Sequence, residues 1–204
     1  MNLNFDKDAK NWDEERRIKR AKMISDKILN CCDLTDISTA MEFGCGTGLI
    51  SFNLKDRFDS ITLVDNSNGM IDVLNKKIKE NNMDKMNAKC INLLEEDLEQ
   101  KFDFIYTSMA LHHIKDLGFI IDKFYNMLNE NGHICIVDLN EEDGTFHSKF
   151  KDFDGHNGFN QDGLKELLKE HGFKKIDSKT IFEDTKIIND KEFDYSLFLM
   201  HAKK

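Results

Sequence analysis

Proline is absent from the 204 residues. No turn is therefore set by an imide ring, and the turns must rest on asparagine, aspartate and glycine. Long hydrophobic runs are missing as well. None reaches the roughly 20 residues that a membrane-spanning helix needs, and the start, with Asp6, Asp8, Asp13 and Glu14, lacks the basic-then-apolar order of a secretion signal. The expectation is a cytoplasmic protein with no membrane partner. Positive charge is in deficit: 29 Lys and Arg against 38 Asp and Glu leave a net −9, which disfavours a nucleic-acid partner gripped by its phosphates. The local basic cluster Arg16, Arg17, Lys19, Arg20 and Lys22 falls at spacings that read as the solvated face of a helix.

Cysteine is sparse and odd in number. Of Cys31, Cys32, Cys45, Cys90 and Cys135, three fall in stretches that read as strands or the turn after one, so buried free thiols are expected rather than a disulfide framework. Cys31 and Cys32 have no second Cys or His pair at metal-ligand spacing, and no metal is expected.

What is present is alternation. β-rich runs at Thr39–Phe43, Ser60–Asp65, Lys89–Leu93, Phe102–Ser108 and His133–Asp138 are separated by helical patterns at Leu49–Asp56, Gly69–Asn81 and Leu117–Asn129. That order predicts an α/β fold, a doubly wound, mostly parallel sheet with helices on both faces. Asn131-Gly132 is the expected turn into the fifth strand, because both residues tolerate positive φ. Asn140–Asn160 has no period and reads as a long, functional insertion. Gln161–Glu170 is a helix, and Phe173–Phe182 and Phe193–His201 are strands close enough in sequence to pair antiparallel.

The junction Glu42-Phe43-Gly44-Cys45-Gly46-Thr47-Gly48 carries the most chemistry. Three glycines after a strand allow a sharp turn and close approach of a ligand, at the carboxyl ends of the strands where open α/β sheets bind. A dinucleotide site wants G-x-G-x-x-G, and Leu49 stands at its last position; no Gly-Lys-Ser/Thr follows to make a phosphate loop. Glu42 ahead of the first glycine suits a ligand that carries an ammonium group.

These residues resemble the class I S-adenosylmethionine-dependent methyltransferases, over essentially the whole chain. The family's acid followed by G-x-G-x-G matches Glu42 to Gly48, and its acid ending strand two matches Asp65, followed by Asn66 and Met70. The resemblance implies a Rossmann-like, seven-stranded sheet with an antiparallel C-terminal strand, and S-adenosyl-L-methionine as cofactor. It implies cofactor contacts from Trp12, Glu42, Gly44, Cys45, Gly46, Gly48, Asp65, Asn66, Met70, Asn92, Leu93, Ser108 and Met109, with Asp65 on the ribose hydroxyls. Asn92 stands where many members carry Asp. Phe5-Asp6-x-x-Ala9-x-x-Trp12-Asp13 and Glu142-Asp143-Gly144-Thr145-Phe146-His147 are similar to stretches of small bacterial and fungal members.

On this reading residues 1–38 form an N-terminal helical lid, 39–138 the cofactor-binding core, 139–160 an insertion, and 161–204 a C-terminal helix and strand pair. The acceptor is expected to be a small molecule and the protein a monomer or homodimer. An acceptor proton could be taken by His112, His113, His147 or His156, none of which stands out. Phe146, Phe150, Phe153 and Phe159 either line an acceptor pocket or pack the insertion down. The family's DNA enzymes use Pro-Pro or Pro-Cys motifs, which a chain without proline excludes. A non-catalytic cofactor-binding module and a protein methyltransferase are the alternatives.

Overall fold

The computed structural model describes residues 5–32, 34–150, 153–188 and 191–204. After a short helix α1 (Phe5–Asp8) and a 3-10 turn, α2 (Glu15–Cys31) leads into the alternating core: β1 (Thr39–Phe43), α3 (Leu49–Leu54), β2 (Ser60–Asp65), α4 (Asn68–Glu80), β3 (Met86–Cys90), β4 (Phe102–Ser108), α5 (Leu117–Met127) and β5 (Leu128–Leu139). Helix α6 (Gln161–Glu170) and the strands β6 (Lys174–Ile188) and β7 (Lys191–Lys203) complete it. The seven strands lie in the order β3-β2-β1-β4-β5-β7-β6. Strands β1 to β5 pair in parallel, and β7 runs antiparallel to both β5 and β6. This is the Rossmann-like sheet that the resemblance implied. Among the described residues no helix is long and apolar enough to cross a membrane.

Central strands read as continuous hydrophobic runs because both faces are covered. Met41, Ile105, Ile134 and Ile136 face one buried cluster with Phe124 of α5, and Ala40, Phe104, Tyr106 and Cys135 face the other with Ile24 and Ile28 of α2. The two clusters brace the sheet from opposite sides and leave its carboxyl edge for chain reversals. The order of strands switches between β1 and β4, which opens a crevice at that edge.

Three regions differ most from the sequence reading. Strand β3 lies at Met86–Cys90, not Lys89–Leu93, because Asn92 starts a turn: its side chain accepts from Leu94 N at 3.1 Å and its carbonyl from Glu95 and Glu96. Asn131 does take positive φ, 64°, but as an irregularity inside β5, where the register with β4 shifts, rather than as a turn before it. The β6–β7 pair extends well past Phe182, since Glu183 to Lys186 look like a loop in sequence yet pair with Phe193 to Ser196.

Candidate functional site

The glycine loop is shaped by its neighbours. At Gly44, φ is 66° and a Cβ would collide with the Cβ of Ala110, so the loop after β4 crosses where any side chain would stand. Gly48 also has positive φ, 80°, and a Cβ there would meet Leu74 Cδ1 at 2.7 Å. It serves the packing of α3 on α4 and does not line the cleft. Gly46 N donates to Asp65 Oδ2 at 2.8 Å, and Ser67 N donates to Asp65 Oδ1 at 2.9 Å. Asp65 thereby ties the loop to the end of β2, while Ser67, not Asp65, caps α4 through Met70 N. Burial raises the Asp65 pKa above its ordinary value, although these backbone donors oppose the shift.

Glu42 is only 3% exposed. Ser51 donates its hydroxyl to Glu42 Oε2 and lies 2.5 Å from the Tyr106 hydroxyl. Burial pushes the Glu42 pKa up to about 8. The carboxyl group is therefore protonated near neutral pH until a cation arrives beside it.

A second wall is built around Asp138 at the end of β5, fully buried. It accepts from the backbone N of Leu111 at 3.0 Å, of His112 at 3.2 Å and of Leu139 at 2.8 Å, and lies 2.5 Å from His112 Nδ1. A carboxylate only accepts, so the His112 Nδ1 carries a proton toward it. His113 follows on the same 3-10 turn, and His147 arrives from the insertion. The rings of His112 and His147 are 5.0 Å apart, and His147 stacks on Phe153 at 3.9 Å. Burial first, then the neighbouring His112, pushes the pKa values of His113 and His147 down to about 3.

The insertion is held against this turn at close range. His156 N donates to the His112 carbonyl at 2.8 Å, and His156 Nε2 sits 2.9 Å from the Ile114 carbonyl. A side chain on Gly155 would strike the His112 carbonyl. His156 is thus a fastener of the insertion and does not line the cleft. Of the insertion's phenylalanines, Phe146 and Phe150 line the cleft, Phe153 covers the histidines, and Phe159 packs into the core.

The N-terminal segment closes over the cleft. Asp6 Oδ1 accepts from Ser67 Oγ at 2.6 Å and Gly69 N at 2.8 Å, and Asp13 accepts from Thr47 Oγ1 and, at 2.6 Å, from Lys77 Nζ. Gly69 admits this docking, since a Cβ there would lie 2.7 Å from Asp6 Cα. Trp12 faces Gly46, with the Arg17 guanidinium 4.1 Å from its ring, and Phe5 packs edge-on to His113 at 5.6 Å. The basic cluster is divided rather than wholly solvated. Lys19 and Lys22 pair with Glu15 and Asp26 along α2, whereas Arg16, Arg17 and Arg20 line the cleft because the β6–β7 hairpin stands beside that face. Asp184 and the Thr185 carbonyl on β6 hold Arg16.

The cleft measures about 620 Å³. Trp12, Glu42, Gly44, Cys45, Gly46, Asp65, Asn66, Met70, Asn92, Leu93, Ser108 and Met109 all border it, as do His112, His113 and His147. Met109 holds φ at 55°, a strained conformation for a residue with a side chain. Sequence reasoning missed Arg20, Lys186 and Tyr195, which come from α2 and the hairpin, and it gave no role to Asp138. An acid ending an otherwise apolar strand was the one available signal for the last.

The methyltransferase-domain family matches residues 14–178. An uncharacterised methyltransferase of Schizosaccharomyces pombe is 32% identical over 160 residues, 67% of this chain and 56% of that protein. A malonyl-[acyl-carrier protein] O-methyltransferase of Acetivibrio thermocellus is 28% identical over 136 residues, 65% of this chain and 46% of that one. The chain thus spans about half the length of these curated relatives. Phosphoethanolamine N-methyltransferase 2 of Haemonchus contortus, solved with S-adenosylhomocysteine, superposes with a TM-score of 0.73 over 91% of this chain and 52% of its own, at 14% identity, a likeness of fold. With an acid and glycine loop after β1, an acid closing β2, and a family match across most of its length, this chain belongs to the class I S-adenosylmethionine-dependent methyltransferases.

Proposed function

We propose that the cleft binds S-adenosylmethionine and passes its methyl group to a small, negatively charged acceptor. The carrying observation is a single cleft lined both by Glu42, Gly44, Gly46 and Asp65 and by Arg20, Lys186, His112, His113 and His147. The residues fit the cofactor. Gly44 and Gly46 line the cleft in a turn that the loop after β4 and Trp12 pack against, each Asp65 oxygen keeps a lone pair beyond its backbone bond for a sugar hydroxyl, and Glu42 can ionise against an ammonium group. Asn92 and the buried Leu93 would flank the base.

When bound, the cofactor supplies a methyl group already activated on a positively charged sulfur. The chain's own task is to orient an acceptor and exclude water. Trp12 and Phe5 cover the cleft from the N-terminal side, and Phe146 and Phe150 wall it from the insertion. Arg20 and Lys186 border it without a carboxylate partner among the described residues; Lys186 is bonded to the Phe146 carbonyl at 3.1 Å, and burial lowers its pKa. Cations so placed favour an anionic acceptor.

Calorimetry should show micromolar binding of S-adenosylmethionine and S-adenosylhomocysteine and none of NADH; the reverse preference would overturn the cofactor reading. A panel of small carboxylates, phenolates and thiols, scored by S-adenosylhomocysteine release, tests the transfer. Binding without release from any member would leave a non-catalytic module and overturn the enzymatic half.

A further inference from the structure

We propose that His112, His113 and His147 form a binding site for a divalent first-row transition metal of the zinc type, with its open position facing the acceptor end of the cleft. Each ring offers one nitrogen, and these nitrogens lie within 4.8 Å of one another. Metal–nitrogen bonds of about 2.0–2.1 Å in a tetrahedral site bring the nitrogens to roughly 3.3 Å apart, so each ring has to move by no more than about 1 Å. Three imidazoles with a fourth position left open is the ligand set of a catalytic rather than a structural zinc site.

Two independent observations point to a ligand here. Among the described residues, the buried Nδ1 atoms of His113 and His147 have no hydrogen-bond partner. Histidines kept only for packing would be expected to satisfy those atoms, because a buried lone pair or N–H without a partner is costly. The Nδ1 of His112, in turn, is fixed by Asp138 at 2.5 Å. A carboxylate behind an imidazole sets the tautomer and ring angle of a ligating histidine.

The ligands are also held in place from outside the triad. His112 and His113 share a turn whose backbone N–H groups are pinned by Asp138, and Gly155 and His156 clamp the insertion that carries His147 onto the same turn. Lys186, which lies over the Phe146 ring at 3.9 Å, and Arg20 act against a dication. The Asp138 carboxylate and an anionic acceptor offset them. An imidazole set suits zinc, cobalt, nickel or iron better than magnesium or calcium. The proposal replaces the metal-free expectation, which was drawn from the cysteines and did not weigh histidines distant in sequence. The ion's bearing on the acceptor rests on the methyltransferase reading, but the site itself does not.

The test uses the full chain, stripped of metal by chelation and titrated with cobalt(II), then competed with zinc(II). One cobalt per chain, with the visible bands of a tetrahedral ion and no sulfur-to-cobalt absorption in the near ultraviolet, is the expected result. His113→Gln and His147→Gln should each weaken binding at least about tenfold, and Asp138→Asn by about 10–100-fold. Asp138 is buried and its variant can fail to fold; the two histidine variants then carry the test. Binding unchanged in both histidine variants, a thiolate signature, or no stoichiometric binding by the wild-type chain would overturn the site. Calorimetry with S-adenosylhomocysteine on the same metal-free samples separates the two readings. Cofactor binding with no metal site rejects only this inference, whereas a metal site without cofactor binding rejects only the methyltransferase reading of the cleft.

Discussion

The two walls of the cleft are built in opposite ways. The proposed cofactor wall draws on short, contiguous stretches: Glu42 to Gly46 at one strand end, and Asp65 to Met70 at the next, joined by the bond from Gly46 N to Asp65. The proposed acceptor wall is gathered from distant parts of the chain. Phe5 and Arg20 come from the N-terminal segment, His112 from the loop after β4, His147 from the insertion, and Lys186 and Tyr195 from the C-terminal hairpin. A wall whose geometry is local can be fixed by backbone conformation, while a wall assembled across the fold depends on anchors far from the chemistry. Substitutions on the first should act directly on cofactor affinity; those on the second should act through docking.

The largest effect is expected at Gly44→Val. Positive φ with a side chain costs about 1–3 kcal/mol in the backbone alone, and the collision with Ala110 adds to it. Thermal melts should fall, and S-adenosylhomocysteine affinity should drop by about 100-fold or more. Affinity kept within a few-fold would mean the loop is not the cofactor seat. Asp65→Ala follows, with a loss of about 1–3 kcal/mol in cofactor binding by calorimetry for sugar hydroxyls left unpaired. A change within twofold would reduce Asp65 to its observed bonds with Gly46 and Ser67.

Gly69→Ala probes the other wall at a distance. The new methyl group would displace Asp6. Gly69 lies in the first turn of α4, where alanine gains less than the roughly 0.5–1 kcal/mol of a helix interior, and the Asp6 bonds to Ser67 and Gly69 are given up, so the melting temperature should hold or fall slightly. Limited proteolysis within residues 5–20 should quicken several-fold, and cofactor affinity should weaken modestly. In the wild-type chain, Trp12 fluorescence should change and the same cleavage should slow when S-adenosylhomocysteine is added. Unchanged cleavage and fluorescence in all these samples would make the N-terminal segment fixed structure rather than a lid.

A pH dependence at Glu42 tests the cofactor wall in a different way. Its folded pKa, about 8, lies above the ordinary 4.5. Between those values the folded chain keeps a proton that the unfolded chain releases, so this group's contribution to stability falls as pH rises through that window and is level above it. Glu42→Gln should therefore melt like wild type at about pH 5 and higher than wild type at about pH 9. Calorimetry in buffers of different ionisation enthalpy should show release of up to about one proton per S-adenosylhomocysteine bound near neutral pH by wild type, and none by the variant. Equal release by both would place the ammonium group elsewhere.

Residue order alone determined the alternating core and the class of cofactor loop, because strand hydrophobicity, glycine spacing and an acid at a strand end are properties of neighbouring residues. Twelve of the thirteen expected cofactor positions border the cleft, and the thirteenth, Gly48, is used for helix packing instead. Tertiary structure decided everything that depends on which distant segments meet. His113 and His147 lie far apart in the chain, and the clamp of Gly155 and His156 on the His112 turn, together with the bond of Lys186 to the Phe146 carbonyl, holds the insertion there. His156, indistinguishable from the others as a sequence candidate, spends its ring nitrogen on a backbone carbonyl. Arg16, Arg17 and Arg20 read as solvated by helical spacing, since nothing in their own helix foretells that a hairpin near the chain's end will stand beside that face. Local patterns fix backbone and burial periodicity; the sites where several segments converge are set by long-range packing, which no single stretch encodes.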